Sequence, residues 1–126
     1  MKMKLCSVIA GLVLVASSLN AAAGAYGALA TSPKGDHGYS KNYDKEEEAI
    51  NRALLECRKY SKQCAIKKVF KDACMSVVSS SNGAMGWTWG YARDEGNRRA
   101  MDECRSNKGR GCRLVQRFCT GDADDD

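Results

Sequence analysis

The sequence predicts an α+β fold: two consecutive strand-strand-helix-strand repeats forming one mainly antiparallel sheet, with two helices on one face, held by disulfide bonds. Three observations carry this. The 126-residue chain matches itself at an offset of 48. Its apolar residues switch between strand and helix periodicity in the same order in both copies. Its cysteines become even in number once an N-terminal leader is set aside. With 44% hydrophobic and 28% charged residues, the composition excludes a disordered chain, and the length excludes a large enzyme.

The leader comes first. Lys2 and Lys4 precede the apolar run Leu5 to Ala16, and Ala21-Ala22-Ala23 supplies the small residues of a cleavage site. Residues 1–23 therefore read as a signal peptide, the mature chain starting at Gly24. The run is shorter than the roughly 20 apolar residues of a membrane span. Periplasmic or secreted is the expected location, with no membrane span.

In the mature part, Tyr26 to Tyr43 falls on Cys74 to Tyr91, aligning Gly35 with Gly83, Gly38 with Gly86, Tyr39 with Trp87 and Ser40 with Thr88. One position out of step, Asn51 to Cys57 falls on Arg98 to Cys104. The duplicated domain covers 24–120, with repeats at about 26–73 and 74–119, and 121–126 reads as an acidic disordered tail. Each repeat opens with a short strand and a turn, Ser32-Pro33-Lys34-Gly35 or Asn82-Gly83, where glycine allows positive φ. The returning strand of the second copy places Met85, Trp87, Trp89 and Tyr91 on one face at period two. The first helix follows Asp44, an N-cap candidate with Glu47 three residues on, and carries the stripe Ile50, Ala53, Leu54 and Cys57. The second helix, near Arg93 to Cys104, contains Gly96 and is the weaker by about 1 kcal/mol. Closing strands run from Cys64 to Phe70 and from Cys112 to Cys119.

Without the leader six cysteines remain, and an exported chain with no CxxC pair and one histidine favours disulfides over a metal site. Repeat symmetry suggests Cys57 with Cys64 and Cys104 with Cys112, leaving Cys74 with Cys119. A second symmetric arrangement, Cys57 with Cys104 and Cys64 with Cys112, stays open at this stage.

Tyr26-Gly27-Ala28-Leu29-Ala30, Gly86-Trp87-Thr88-Trp89-Gly90, the helix ends Ala53 to Cys57 and Ala100 to Cys104, and the closing Arg113-Leu114-Val115 to Cys119-Thr120 together resemble the bacterial domain-of-unknown-function family numbered 4189. The resemblance spans Tyr26 to Thr120. It implies a small exported protein without an established catalytic motif. Some members of that family serve as immunity partners of secreted toxins, and mycobacterial members are regarded as secreted factors. The weak start of the second helix and the acidic tail depart from the pattern.

Catalytic motifs are absent: no nucleophile elbow, zinc-hydrolase helix, phosphate loop or dinucleotide fingerprint occurs. His37 reads as an exposed loop residue beside Asp36, and Glu46, Glu47, Glu48, Asp94 and Glu95 as dipole-compensating charges at helix starts. No catalytic residue, metal ligand or cofactor is expected. Trp87, Trp89 and Tyr91, with Tyr39 as the first-repeat counterpart, are the candidate partner-binding residues; the competing reading packs that face beneath the helices. Between 24 and 120 there are 18 basic and 11 acidic side chains, a net +7 that favours anionic partners such as an envelope polymer. Nucleic acid is not expected in an exported compartment. The resulting expectation is a non-enzymatic exported binding protein, an inhibitor or immunity partner of a secreted toxin or envelope-active enzyme. The alternatives are a secreted effector acting on host cells and a small envelope hydrolase using acidic residues.

Overall fold

The structure, a computed structural model, describes residues 24–125; the leader read at 1–23 lies outside them. Eight elements follow in the order β1 (Tyr26–Thr31), β2 (His37–Tyr43), α1 (Glu46–Arg58), β3 (Ala65–Lys71), β4 (Cys74–Ser79), β5 (Met85–Trp89), α2 (Arg93–Ser106) and β6 (Arg113–Cys119). The strand-strand-helix-strand order occurs twice. One expectation needs correcting: the six strands form two three-stranded antiparallel sheets, β2-β1-β3 and β5-β4-β6, rather than one. In each unit the first strand pairs with both others and so takes the centre, which closes the ladder within the unit.

The central strands explain the stacking. β1 buries Ala28 and Ala30 against Ala49, Ala53 and Cys57 of α1, while Leu29, pointing the other way, packs with Phe70, Met75, Val77 and Phe118. In β4, Met75 and Val77 join that same central layer and Val78 packs under Ala100 and Cys104 of α2. The two sheets therefore face each other across Leu29, Val77 and the two phenylalanines, and the helices lie on the outer faces. The second helix is not on the same face as the first, because the central layer already covers the inner side of each sheet.

Glycines let the helices approach. A Cβ on Gly38 would collide with the backbone of Ala53 and Cys57, and one on Gly86 with that of Ala100 and Cys104. Two residues further along, Ser40 Oγ donates to the carbonyl of Ala49 at 2.6 Å and Thr88 Oγ1 to that of Gly96 at 2.8 Å. Each helix is thus docked and latched by the same pair of strand positions. Both helices start without a side-chain cap: Lys45, not Asp44, is the N-cap of α1, and Glu46, Glu47 and Glu48 compensate its dipole instead.

Residues equivalent by the repeat also touch one another. Phe70 and Phe118 lie with ring centroids 5.5 Å apart, and the Gly35 turn packs on the Gly83 turn. Only the glycine of Asn82-Gly83 has positive φ (+88°), as has Gly35 (+86°). These contacts mark a pseudo-twofold axis through the central layer. Three disulfides close the structure: Cys57–Cys64, Cys104–Cys112 and Cys74–Cys119, so the cross-unit arrangement is not the one adopted.

The tail, expected to be disordered, is held over its described part. Asp125 pairs with Arg117 and Arg93, both at 3.0 Å, and the amides of Gly121 and Asp122 donate to Asn42 and Asp72. The reason is a buried cation that composition alone does not reveal: the Arg117 side chain is 8% exposed and donates to Ser76 Oγ and to the Tyr91 carbonyl. It needs a counter-ion.

Candidate functional site

Both units carry a groove between the edge strand and the helix, and the two are the same site in duplicate. In the first, Tyr39, Lys41 and Tyr43 of β2 line a cleft of about 620 Å3 together with Arg52 and Glu56 of α1 and Gln116 of β6. In the second, Trp87, Trp89 and Tyr91 line a cleft of about 810 Å3 together with Arg98, Arg99 and Glu103. Repeat alignment sets Tyr39 with Trp87, Lys41 with Trp89, Tyr43 with Tyr91, Arg52 with Arg99 and Glu56 with Glu103.

Of the four sequence-predicted residues, three meet in the second groove and one does not. Trp87 is half-buried, directed at the opposing sheet rather than beneath the helices, and its ring lies 5.9 Å from that of Trp89. Trp89 is 41% exposed and Tyr91 36%. Tyr91 is not on the strand: β5 ends at Trp89, and Gly90 at φ +84° turns the chain. Tyr39 sits in the first groove, where its ring stacks on Phe118 at 4.3 Å. It belongs to the central layer more than to a surface.

The exposed rings are backed by cations. Lys68 of β3 reaches across from the other sheet to place its Nζ 3.8 Å from the Trp89 ring centroid, and the Arg99 guanidinium lies 4.5 Å from that of Tyr91. These contacts were not foreseen from sequence, where Arg99 reads as the i,i+4 partner of Glu103 and Arg98 as that of Asp102; only the second pair forms, and Arg99 turns to Glu95 instead. Lys68 could not have been foreseen, since it meets Trp89 only through the stacking of two sheets. Glu103 and Arg99 carried a signal: NRALLEC and RRAMDEC share an arginine and a glutamate outside the buried alanine and cysteine positions, where core packing does not dictate identity.

The equivalent carboxylates have opposite surroundings. Glu56 is paired with Arg52 at 2.8 Å and Lys59 at 2.9 Å, and the Lys59 hydrogen bond above all lowers its pKa. Arg99 turns back to Glu95 at 3.0 Å, a contact that raises the guanidinium's pKa and leaves Glu103 without an ion pair among the described residues. Partial desolvation against β5 pushes the Glu103 pKa up, and a hydrogen bond from the Trp87 amide opposes this.

The other titratable candidates do not converge. Glu46, Glu47 and Glu48 are exposed at the start of α1, and Glu95 is taken by Arg99. His37 is not in a loop: it opens β2 opposite Thr31 and is half-buried, and this burial lowers its pKa against the opposing pull of Asp36. Cys74, Cys119 and Asp125 gather closely among the described residues, but the two sulfurs are bonded to each other and are not available to a metal.

The model of a family described as Domain of unknown function (DUF4189) matches residues 26–119. No curated protein and no solved structure matches the chain.

Proposed function

We propose that this chain, a member of the DUF4189 family, is an exported non-enzymatic binding protein. Its partner is a protein, a secreted toxin or an envelope-active enzyme that it inhibits or neutralises. The observation that carries this reading is the second groove, where Trp89 and Tyr91 stand exposed beside Arg98 and Arg99 on a disulfide-braced frame. Tryptophan, tyrosine and arginine are the residue types that dominate protein interfaces, and a braced frame holds them without further ordering. Export is supported by the leader pattern at 1–23, by three disulfides, and by the absence among the described residues of a helix long and apolar enough to cross a membrane.

Affinity capture with the oxidised mature protein from its producing cells, followed by mass spectrometry, tests the reading. One stoichiometric partner, lost with Trp89→Ala, is expected; repeated recovery of none, or of one indifferent to that change, would overturn it. Fractionating the producer separates an envelope role from action on host cells.

A second reading rests on Glu103, whose raised pKa beside Asp102 in an aromatic groove suits a general acid. It requires an envelope-polymer hydrolysis that Glu103→Gln abolishes while the fold persists.

A further inference from the structure

The groove leaves one end of the molecule unexplained. Between the first hairpin turn and the end of α1, a shallow depression of about 550 Å3 is lined by Lys34, Arg58, Lys59, Lys62 and the exposed Tyr60. A second, of about 330 Å3, shares Lys34 and adds Arg113 and the hydroxyls of Ser79, Ser80 and Ser81. Hydrogen bonds from Ser81 and Asn82 to the carbonyls of Arg110 and Lys108 bring the 104–112 disulfide loop to the same place. Lys34, Arg58, Lys62, Lys108, Arg110 and Arg113 are all exposed, and none makes an ion pair among the described residues. Asp36 is the single carboxylate lining either depression, and it is bonded to Ser32.

The helix ends carry a charge bias, tempered by Lys45 and Arg93 at their starts and by Glu56, Asp102 and Glu103 near their ends. Both helices run toward the basic end with Arg58 and Arg105 in their last turns, while Glu46, Glu47 and Glu48 open one helix and Asp94 and Glu95 the other. The tail aspartates are tied at that opposite end, through Asp72 and Arg93. A bipolar charge distribution orients a protein over a charged plane. Cations spread over loops of both units, without a deep enclosed pocket, suit a broad polyanionic surface better than a discrete ligand.

We propose that this basic end docks the protein on an anionic membrane leaflet, the six cations meeting lipid phosphates and Tyr60 entering the headgroup layer, while the aromatic groove remains free for its partner. Each cation near such a surface strengthens binding about fivefold at low salt, and the effect decays within a Debye length.

Sedimentation of the mature, oxidised protein with vesicles tests this, comparing phosphatidylcholine alone with phosphatidylcholine containing about a third phosphatidylglycerol, a composition chosen for its negative surface potential. Binding to the anionic vesicles alone is expected, falling at least tenfold on raising the salt. The combined variant Lys34→Gln, Arg58→Gln, Lys62→Gln and Arg113→Gln should weaken partitioning a hundredfold or more. Lys45→Gln, at the start of α1 and outside both grooves, should leave it unchanged. Equal binding to neutral vesicles, no binding at low salt, or an unaffected combined variant whose circular dichroism matches the parent would overturn the proposal. So would tighter binding to soluble poly-glutamate or polyphosphate than to vesicles, which moves the occupant to an acidic protein or a phosphate polymer. Because none of these substitutions touches Trp89, a failure here leaves the partner-binding reading standing, and loss of partner capture leaves this one.

Discussion

The two units share a backbone plan but differ in what fills the space between sheet and helix. The first unit is apolar there, with Ala28 on the strand, Ile50 on the helix and Val69 on the closing strand; the equivalent residues of the second are Ser76, Asn97 and Arg117. Ser76 Oγ donates to Asn97 at 2.6 Å and receives Arg117 at 2.8 Å, so the second unit is held by a polar network where the first is held by contact area. Gly96 fits this: a Cβ there would press on the Arg117 guanidinium. The sheet edges differ in parallel. Cys74 lies opposite Cys119 in the second unit, and at the equivalent place Tyr26 lies opposite Lys71, whose ammonium is 5.5 Å from the ring centroid. The same fold can thus be closed by area and a cation–π contact, or by a network, a counter-ion and a covalent bond.

Disrupting the shared layer gives the largest expected loss. Phe118→Ala should destabilise the protein by about 3–5 kcal/mol in urea unfolding, and Phe70→Ala by less, because only Phe118 also carries the Tyr39 stack. Equal losses would mean that the stack contributes nothing. Next comes the edge pair. Replacing Cys74 and Cys119 together by alanine should remove about 2–4 kcal/mol, whereas Lys71→Gln at the equivalent edge should remove less than about 1 kcal/mol.

The counter-ion follows. Asp125→Asn should destabilise the parent by about 1–2 kcal/mol and by less in an Arg117→Met background, where only the exposed Arg93 pair is left to lose. Desolvation works against the Asp125 carboxylate, but its bonds to Arg93 and Arg117 prevail and lower its pKa. The stabilisation is present above the ordinary carboxylate pKa and lost as pH falls through the depressed one. A melting temperature that drops in acid for the parent but less for Asp125→Asn is the check.

The grooves give the smallest and sharpest contrast. Glu56 has a lowered pKa, so Glu56→Gln should lower the melting temperature slightly at pH 7 and converge with the parent in acid. Glu103 has a raised pKa, so the folded state favours its protonated form and loses stability as pH rises through the ordinary and then the raised value. Glu103→Gln should therefore leave the melting temperature at pH 7 unchanged or higher. Parallel behaviour of the two variants would show that the rewiring of Arg99 has no electrostatic consequence.

Much of this was legible in the residues. Repeat identities located the helix-docking glycines and hydroxyls and the cysteine pairs, because those positions are constrained by local geometry that both copies need. The division into two facing sheets was less visible, since alternation says that a strand has two faces and not what covers them. A hint existed in Tyr26 to Thr31 and Cys74 to Ser79, which carry no charged residue, as strands covered on both sides require. An aromatic strand face was named from Trp87, Trp89 and Tyr91, yet the groove beside it was not, and Lys68 was out of reach, being brought from another sheet. The held tail was missed because Arg117 reads as one more surface cation until its burial is known.

The pseudo-twofold axis has a consequence for assembly. In the central layer Leu29 and Phe70 of one unit meet their equivalents Val77 and Phe118 of the other, an arrangement related to that of an isologous dimer. Only Asp72 and Ala73 separate the last strand of one unit from the first of the next. That short tether makes the meeting of the halves intramolecular, at an effective concentration no free subunit reaches in dilute solution. As two separate chains the halves would have to find each other among every other protein present; as one chain, each arrives with its mate.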